Sequence, residues 1–222
     1  MTRALEQSLG YSFNNTDLLN QALSHRSVGK KNNERLEFLG DSILNFVVAE
    51  ELYQRFPKAV EGELSRLRAT LVKGETLSRV ALRLDIGPFL TLGQGEMKSG
   101  GERRASILAD AVEAIIAAIY MDADLDICRQ RILSWLKEDI DQISPETIVK
   151  DPKSTLQEYL QGRQLPIPEY TLVETRGKEH EQKFVIACKI TILEEPVLGE
   201  STSRRKAEQR AAANVLTELT KK

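Results

Sequence analysis

The hydrophobic period of this chain switches once, near residue 145, and that switch limits the folds open to it more than any other feature. From Leu5 to about Ser144, apolar residues recur at spacings of three and four, which places them on one face of a helix. Between Glu61 and Val72, Leu64, Leu67 and Leu71 fall on one stripe while Arg66 and Arg68 point elsewhere. Similar stripes run over 17–23, 36–52, 77–84, 107–121 and 125–140. Glycines and polar residues interrupt the pattern from Gly93 to Arg103, which reads as a long exposed loop.

Beyond residue 145 the pattern is different. Asp151 reads as an N-cap with Pro152 at the first helical position, opening a helix that stops at Gly162. Phe184, Ile186, Cys188, Ile190 and Ile192 then alternate with Val185, Ala187, Lys189 and Thr191, the period of a strand with one apolar face. Tyr170–Thr175 and Pro196–Ser201 are shorter strand candidates, and Ser203 caps a last helix carrying Ala207, Ala211 and Val215. The expected architecture is an α+β two-domain chain. An all-helical domain over 1–144, with its motif core about 3–124, is followed by a polar linker at 145–150. A small α-β-β-β-α domain over 151–222 completes it, with both helices free to lie on one sheet face.

Composition removes several alternatives. With 41% hydrophobic and 29% charged residues, the chain can bury proper cores and is not disordered. Its longest apolar run, Ala114 to Met121, is eight residues, against the roughly 18 a membrane span needs. The first residues lack a basic segment followed by an apolar one, so a cytoplasmic location is expected. Cys128 and Cys188 stand sixty residues apart with no second cysteine or clustered histidine nearby, as core thiols do. The net charge is −2, with 19 basic and 22 acidic residues up to Lys150 and 12 and 11 beyond. Any footprint for a polyanion is therefore local.

Two apolar helical segments carry acids that do not belong there. Between Leu36 and Ala49 the only charged residues are Glu37 and Asp41; between Ala105 and Met121 they are Asp110 and Glu113. Glu34, Glu37 and Asp41, at i, i+3 and i+7, share an arc of roughly 60°. Burying ionised carboxylates costs several kcal/mol each unless a cation faces them. Two readings are open: salt bridges from Arg35, Arg66 or Arg68, or convergence on hard divalent cations, which take oxygen ligands, Mg²⁺ being usual for phosphate chemistry. An acid-rich Mg²⁺ site points to phosphodiester hydrolysis, where the metal does work that a protein base does elsewhere. The only histidines are His25 and His180. His25, placed on a helix in ALSHRS, reads as a satisfied core or capping residue. No P-loop, GxSxG or GxGxxG pattern is present, so no nucleotide cofactor is expected.

The run ERLEFLGDS (34–42) is similar to the signature of the ribonuclease III family, and SILADAVEAIIAAIYMD (106–122) resembles its second acidic motif. LSHRS (23–27), EGELSRLRA (61–69) and KSGGERR (98–104) match in the family's order. The resemblance implies an endonuclease that cuts both strands of double-stranded RNA, leaving 5′-phosphate and 3′-hydroxyl ends with a short 3′ overhang. It implies Mg²⁺, with Mn²⁺ as a substitute, held by Glu37, Asp41, Asp110 and Glu113. Asp41 and Glu113 take the catalytic roles and Glu34 and Glu61 support them, although Glu61 reads equally well as a helix N-terminal acid. It further implies a homodimer, since two antiparallel strands call for two sites related by a twofold axis. Phe38 matches a residue inserted into the partner, the alternative being a core aromatic. Ribosomal RNA precursors and some messenger RNAs are the implied substrates, and no membrane is involved.

The C-terminal segment resembles a double-stranded-RNA-binding domain, which reads duplexes by shape across two minor grooves and the phosphates between them. Gln157 and Glu158 on its first helix would meet 2′-hydroxyls, and His180 lies on the reaching loop. Arg204, Arg205 and Lys206 open the last helix, where their charges and its N-terminal dipole suit phosphate. Lys98, Arg103 and Arg104 are weaker phosphate-contact candidates. Ser201 and Ala117–Ala118 depart from glycines common in the family, at positions that touch no ligand. Two other functions compete: an RNA-binding protein on an inactive nuclease scaffold, which loss of a key carboxylate would signal, and a phosphohydrolase of small nucleotides, which the RNA-binding segment disfavours.

Overall fold

The computed structural model describes residues 3–145, 151–177 and 182–220. The chain divides into two compact units, residues 1–148 and 149–222.

The first unit is helical: α1 (Arg3–Leu9), α2 (Thr16–Ala22), α3 (Glu34–Arg55), α4 (Glu61–Val72), α5 (Gly74–Arg83), α6 (Gln94–Lys98), α7 (Ala105–Asp122) and α8 (Leu125–Asp141). Its centre is α7, apolar almost all round and packed against α2, α3, α5 and α8, as expected of a helix that is buried on most sides. The crossing of α3 and α7 is unusually close at Gly40, where a Cβ would overlap the carbonyl oxygen of Glu113. A glycine inside a helix costs about 1 kcal/mol relative to alanine, and here it lets two backbones meet between Glu37 and Asp41. Asp124 caps α8 by accepting from the Ile127 amide at 2.8 Å. Trp135 Nε1 then ties α8 to the Leu9 carbonyl at 3.1 Å. Cys128 is a buried free thiol whose Sγ donates to the Ile116 carbonyl at 3.4 Å.

The segment expected to be an exposed loop, Gly93 to Arg103, is folded. It contains α6 and a 3₁₀ turn over Gly101–Arg103. Arg104 pairs with Glu96 and donates to Ser99 Oγ at 3.2 Å. Gly100 supplies a left-handed turn at φ 74°, and Gly101 lies under Glu96 where no side chain would fit.

The second unit has the order expected from the sequence: α9 (Pro152–Gln161), β1 (Glu169–Arg176), β2 (Lys183–Lys189), β3 (Val197–Ser201) and α10 (Arg204–Thr220). The strands form an antiparallel sheet in the order β1-β2-β3, with Tyr170, Cys188 and Val197 in register and a bulge between Leu172 and Glu174. Asp151 caps α9, accepting from the Ser154 amide at 3.1 Å. Leu156 and Leu160 of α9, Cys188 and Ile190, and Ala211, Ala212 and Val215 of α10 form the core. Gly199 of β3 lies so close to α10 that a Cβ would overlap Ala207 and Ala211. The alternation up to Ile192 overstates the strand, because β2 ends at Lys189, where its neighbours β1 and β3 begin: Glu169 pairs with Lys189 and Val197 with Cys188. On its other face Val185 and Ala187 are buried too, as suits the central strand.

Candidate active site

Helix α3 delivers Glu34, Glu37 and Asp41, and α7 delivers Asp110 and Glu113. Carboxylate oxygens of Glu37, Asp110 and Glu113 lie within 4.8 Å of one another, each residue partly buried. Asp41 is exposed and stands at the edge of this trio, its Oδ1 accepting from Asn45 Nδ2 at 2.8 Å. The structure thus brings together three of the four expected ligands and places the fourth alongside.

Burial pushes the Glu113 carboxyl up to about 8, with the charges of Asp41, Asp110 and Glu37 adding to the effect. Burial also raises Glu37, helped by Asp110, Glu34 and Asp41 against an opposing pull from Arg26. Asp110 is raised by burial in the face of His25 and Arg26. Among the described residues no ion pair engages any of these acids, and Arg35, Arg66 and Arg68 form none. The salt-bridge reading therefore loses its donors. An all-oxygen donor set, partly buried and ion-paired to no described side chain, fits a hard divalent ion.

The supporting acids lie on the surface. Glu34 accepts from Asn32 Nδ2 at 3.2 Å. Glu61 opens α4 and accepts from Ser65 Oγ at 2.8 Å, which matches its reading as a helix N-terminal acid. His25 is buried but sits outside α2, not on a helix. It precedes a 3₁₀ turn over Arg26–Val28, and its Nδ1 accepts from the Ser27 amide at 3.3 Å. Phe38 is 78% exposed, which removes the core alternative. It shares one side of α3 with Phe46 and Tyr53, also exposed.

In the second unit Gln157 and Glu158 are exposed on α9, and Arg204, Arg205 and Lys206 are exposed in the first turn of α10. Ser203 Oγ caps that turn by accepting from the Lys206 amide at 3.3 Å. His180 and residues 146–150 of the expected linker lie outside the described residues. Lys98, Arg103 and Arg104 are exposed, but Arg103 pairs with Glu102 at 3.5 Å and Arg104 with Glu96. Ser201 pairs with Phe184 at the end of the ladder, and Ala117 is fully buried. The close approach at Gly40 escaped the sequence reading, although a glycine between two acids inside an apolar helix is its visible signal.

An acid-centred helical unit joined to an α-β-β-β-α module defines a two-domain enzyme acting on nucleic acid, and comparison with known proteins narrows it. Residues 15–140 match a family model described as ribonuclease-III-like, and residues 152–219 match the double-stranded RNA binding motif. Ribonuclease 3 of Vibrio cholerae is 56% identical over 216 residues, covering 97% of this chain and 96% of that protein. Ribonuclease 3 of Shewanella frigidimarina is 57% identical over 215 residues, covering 97% and 95%. The nuclease domain of ribonuclease III from Campylobacter jejuni matches with a TM-score of 0.62 and 42% identity, over 64% of this chain and 99% of that one. Its structure was described for flexibility in the region involved in dimer formation. The chain belongs to the ribonuclease III family, endoribonucleases that act on double-stranded RNA.

Proposed function

We propose that this protein hydrolyses phosphodiesters in both strands of RNA duplexes with Mg²⁺, or Mn²⁺ in its place. The products are 5′-phosphate and 3′-hydroxyl ends with a short 3′ overhang. The observation that carries the metal is the convergence of Glu37, Asp110 and Glu113 within 4.8 Å, with no ion pair to any of them among the described residues. Those three would hold the ion, with Asp41 alongside, and Mg²⁺ bound there would supply Lewis-acid activation of the phosphate and of a water. Asp41 and Glu113 are the catalytic residues; Glu34 and Glu61 support the strand beside them.

The proposed assembly is a homodimer through the exposed side of α3, where Phe38, Phe46 and Tyr53 offer aromatic anchors of the kind interfaces favour. Each subunit then cuts one strand. Gln157, Glu158, His180, Arg204, Arg205 and Lys206 hold the duplex by shape and phosphate. Domain boundaries at 1–144 and 151–222 allow this division of labour. Ribosomal RNA precursors and some messenger RNAs in the cytoplasm are the proposed substrates. Among the described residues no helix is long and apolar enough to cross a membrane.

The test is a gel assay on a long perfect RNA duplex with Mg²⁺ or Ca²⁺, beside the same duplex in DNA. Cleavage of RNA alone, and with Mg²⁺ alone, is expected. Binding without cleavage would transfer the carboxylates to a structural role and make the chain an RNA-binding protein on an inactive scaffold.

A further inference from the structure

The helical unit binds no polyanion through its overall charge, since acids outnumber bases there. One segment reverses that balance. Between Asp17 and Glu34 no acid occurs, while Arg26, Lys30 and Lys31 fall within six positions. All three are exposed, and among the described residues none forms an ion pair. Elsewhere in the unit several cations are already paired, as Arg55 is with Asp141, Arg83 with Asp139 and Arg129 with Glu50.

The segment is a closed and anchored loop, not a floppy connection. Its ends meet where the Asn33 amide donates to the Ser24 carbonyl at 2.8 Å. Gln21 Nε2 donates to the Asn32 carbonyl at 3.1 Å, and Asn32 Nδ2 to the Gly29 carbonyl at 3.0 Å. Gly29, at φ 127°, takes a backbone conformation that side chains rarely adopt. The base is fastened to residues 91–93: the His25 amide donates to the Thr91 carbonyl at 3.0 Å, and the Gly93 amide to Ser27 Oγ at 2.8 Å. A short loop whose ends are held together in this way presents its side chains at low entropic cost.

Its position gives it a task. The loop ends at Asn33, the residue just before α3, and Asn32 bonds Glu34, the acid one turn before Glu37. Arg26 opens the 3₁₀ turn of the loop, near enough for its charge to act on both Glu37 and Asp110, yet among the described residues it makes no ion pair. A guanidinium near carboxylates but not consumed by them remains available to a phosphate, which it engages through two parallel hydrogen bonds.

We propose that the 24–33 loop, through Arg26, Lys30 and Lys31, is a docking surface for the RNA backbone next to the acid cluster. It is separate from the contacts of the second unit. The inference rests on the reading of this chain as a duplex-RNA nuclease and adds to it the place where the helical unit grips the strand it cuts. The loop recognises phosphates and not bases, so it contributes to every duplex alike.

The experiment is filter binding of full-length protein to a long RNA duplex between 50 and 200 mM salt (about a fourfold range, wide enough to define a slope), with Ca²⁺ replacing Mg²⁺. Wild type is compared with Arg26→Gln/Lys30→Gln/Lys31→Gln and with Arg3→Gln/Lys58→Gln/Lys137→Gln, which removes the same charge elsewhere. Loss of two or three phosphate contacts lowers the magnitude of the salt slope by about 2 and weakens binding about tenfold at mid-range salt. Arg26→Lys/Lys30→Arg/Lys31→Arg keeps near wild-type affinity. Equal losses in the loop variant and the remote variant, or an unchanged slope, would overturn the proposal. Binding is read without cleavage, so an inactive wild type counts against the nuclease reading alone and leaves this comparison intact.

Discussion

Two sets of buried or half-buried acids in the helical unit are treated in opposite ways. Asp139 on α8 receives Arg79 at 3.0 Å and Arg83 at 2.8 Å. Burial would raise its carboxyl, but the hydrogen bonds and charges of Arg83 and Arg79 hold it below the usual range. Among the described residues Glu37, Asp110 and Glu113 receive no such partner, and all three are pushed upward. The same unit that supplies two arginines to one acid supplies none to three. A buried acid paired within the protein stabilises the fold; one left unpaired keeps its lone pairs for something that arrives later.

The largest effect should come from the unpaired set. Glu113→Gln is expected to lower cleavage by about three orders of magnitude or more, since it replaces a charged carboxylate, the proposed metal ligand, by a neutral amide, which costs several kcal/mol in the transition state. Duplex binding should stay within about twofold, because binding relies on other residues. Retained cleavage in a gel assay would break the site assignment. Gly40→Ala follows. A methyl group at the crossing must push α3 from α7, for about 3 kcal/mol of overpacking, and it also separates Glu37 from Glu113. Both thermal stability and cleavage fall together in that variant, unlike in Glu113→Gln. Asp139→Asn sharpens the contrast from the paired side. It should destabilise the fold by about 2 kcal/mol, roughly 5 °C in melting temperature, while cleavage per folded molecule is unchanged.

The pH dependence of metal-free stability gives a further contrast, where the two sets have opposite signs. Glu113 has a folded value near 8, above its unfolded one. Its contribution is complete below about 4.5 and is lost as pH rises through 8, because the native state holds the extra proton. Asp139 has a lowered value, so its contribution is present above the unfolded value and is lost as acid protonates it. Urea titrations from pH 5 to 8 should show Glu113→Gln flattening the downward trend that wild type displays. A wild-type curve that rises across this range would reverse the assignment.

Legibility in the sequence followed the same division. Glu37, Asp41, Asp110 and Glu113 stood out because charges inside apolar helices violate a strong rule, and three of them meet in space. The order of the second unit was readable from its period and its caps, Asp151 and Ser203. The end of β2 was not, because it depends on where β1 and β3 begin. Helix α6 was hidden because five residues carry too little period, and the Arg104–Glu96 pair that holds the segment together is a tertiary matter. Arg26 was overlooked for a related reason: nothing in a polar turn announces which acids it will face once α3 and α7 have packed.

The central claim is that Glu37, Asp110 and Glu113, which no protein cation ion-pairs among the described residues, leave room for a divalent ion to take that place. The most direct test is the melting temperature of wild type, Glu113→Gln and Asp139→Asn with and without Mg²⁺. At ten times its dissociation constant, a ligand of the native state adds about 1.4 kcal/mol. The account predicts this gain in wild type and in Asp139→Asn, each from its own baseline, and its loss in Glu113→Gln. An equal Mg²⁺ response in all three, or none in wild type, would contradict it.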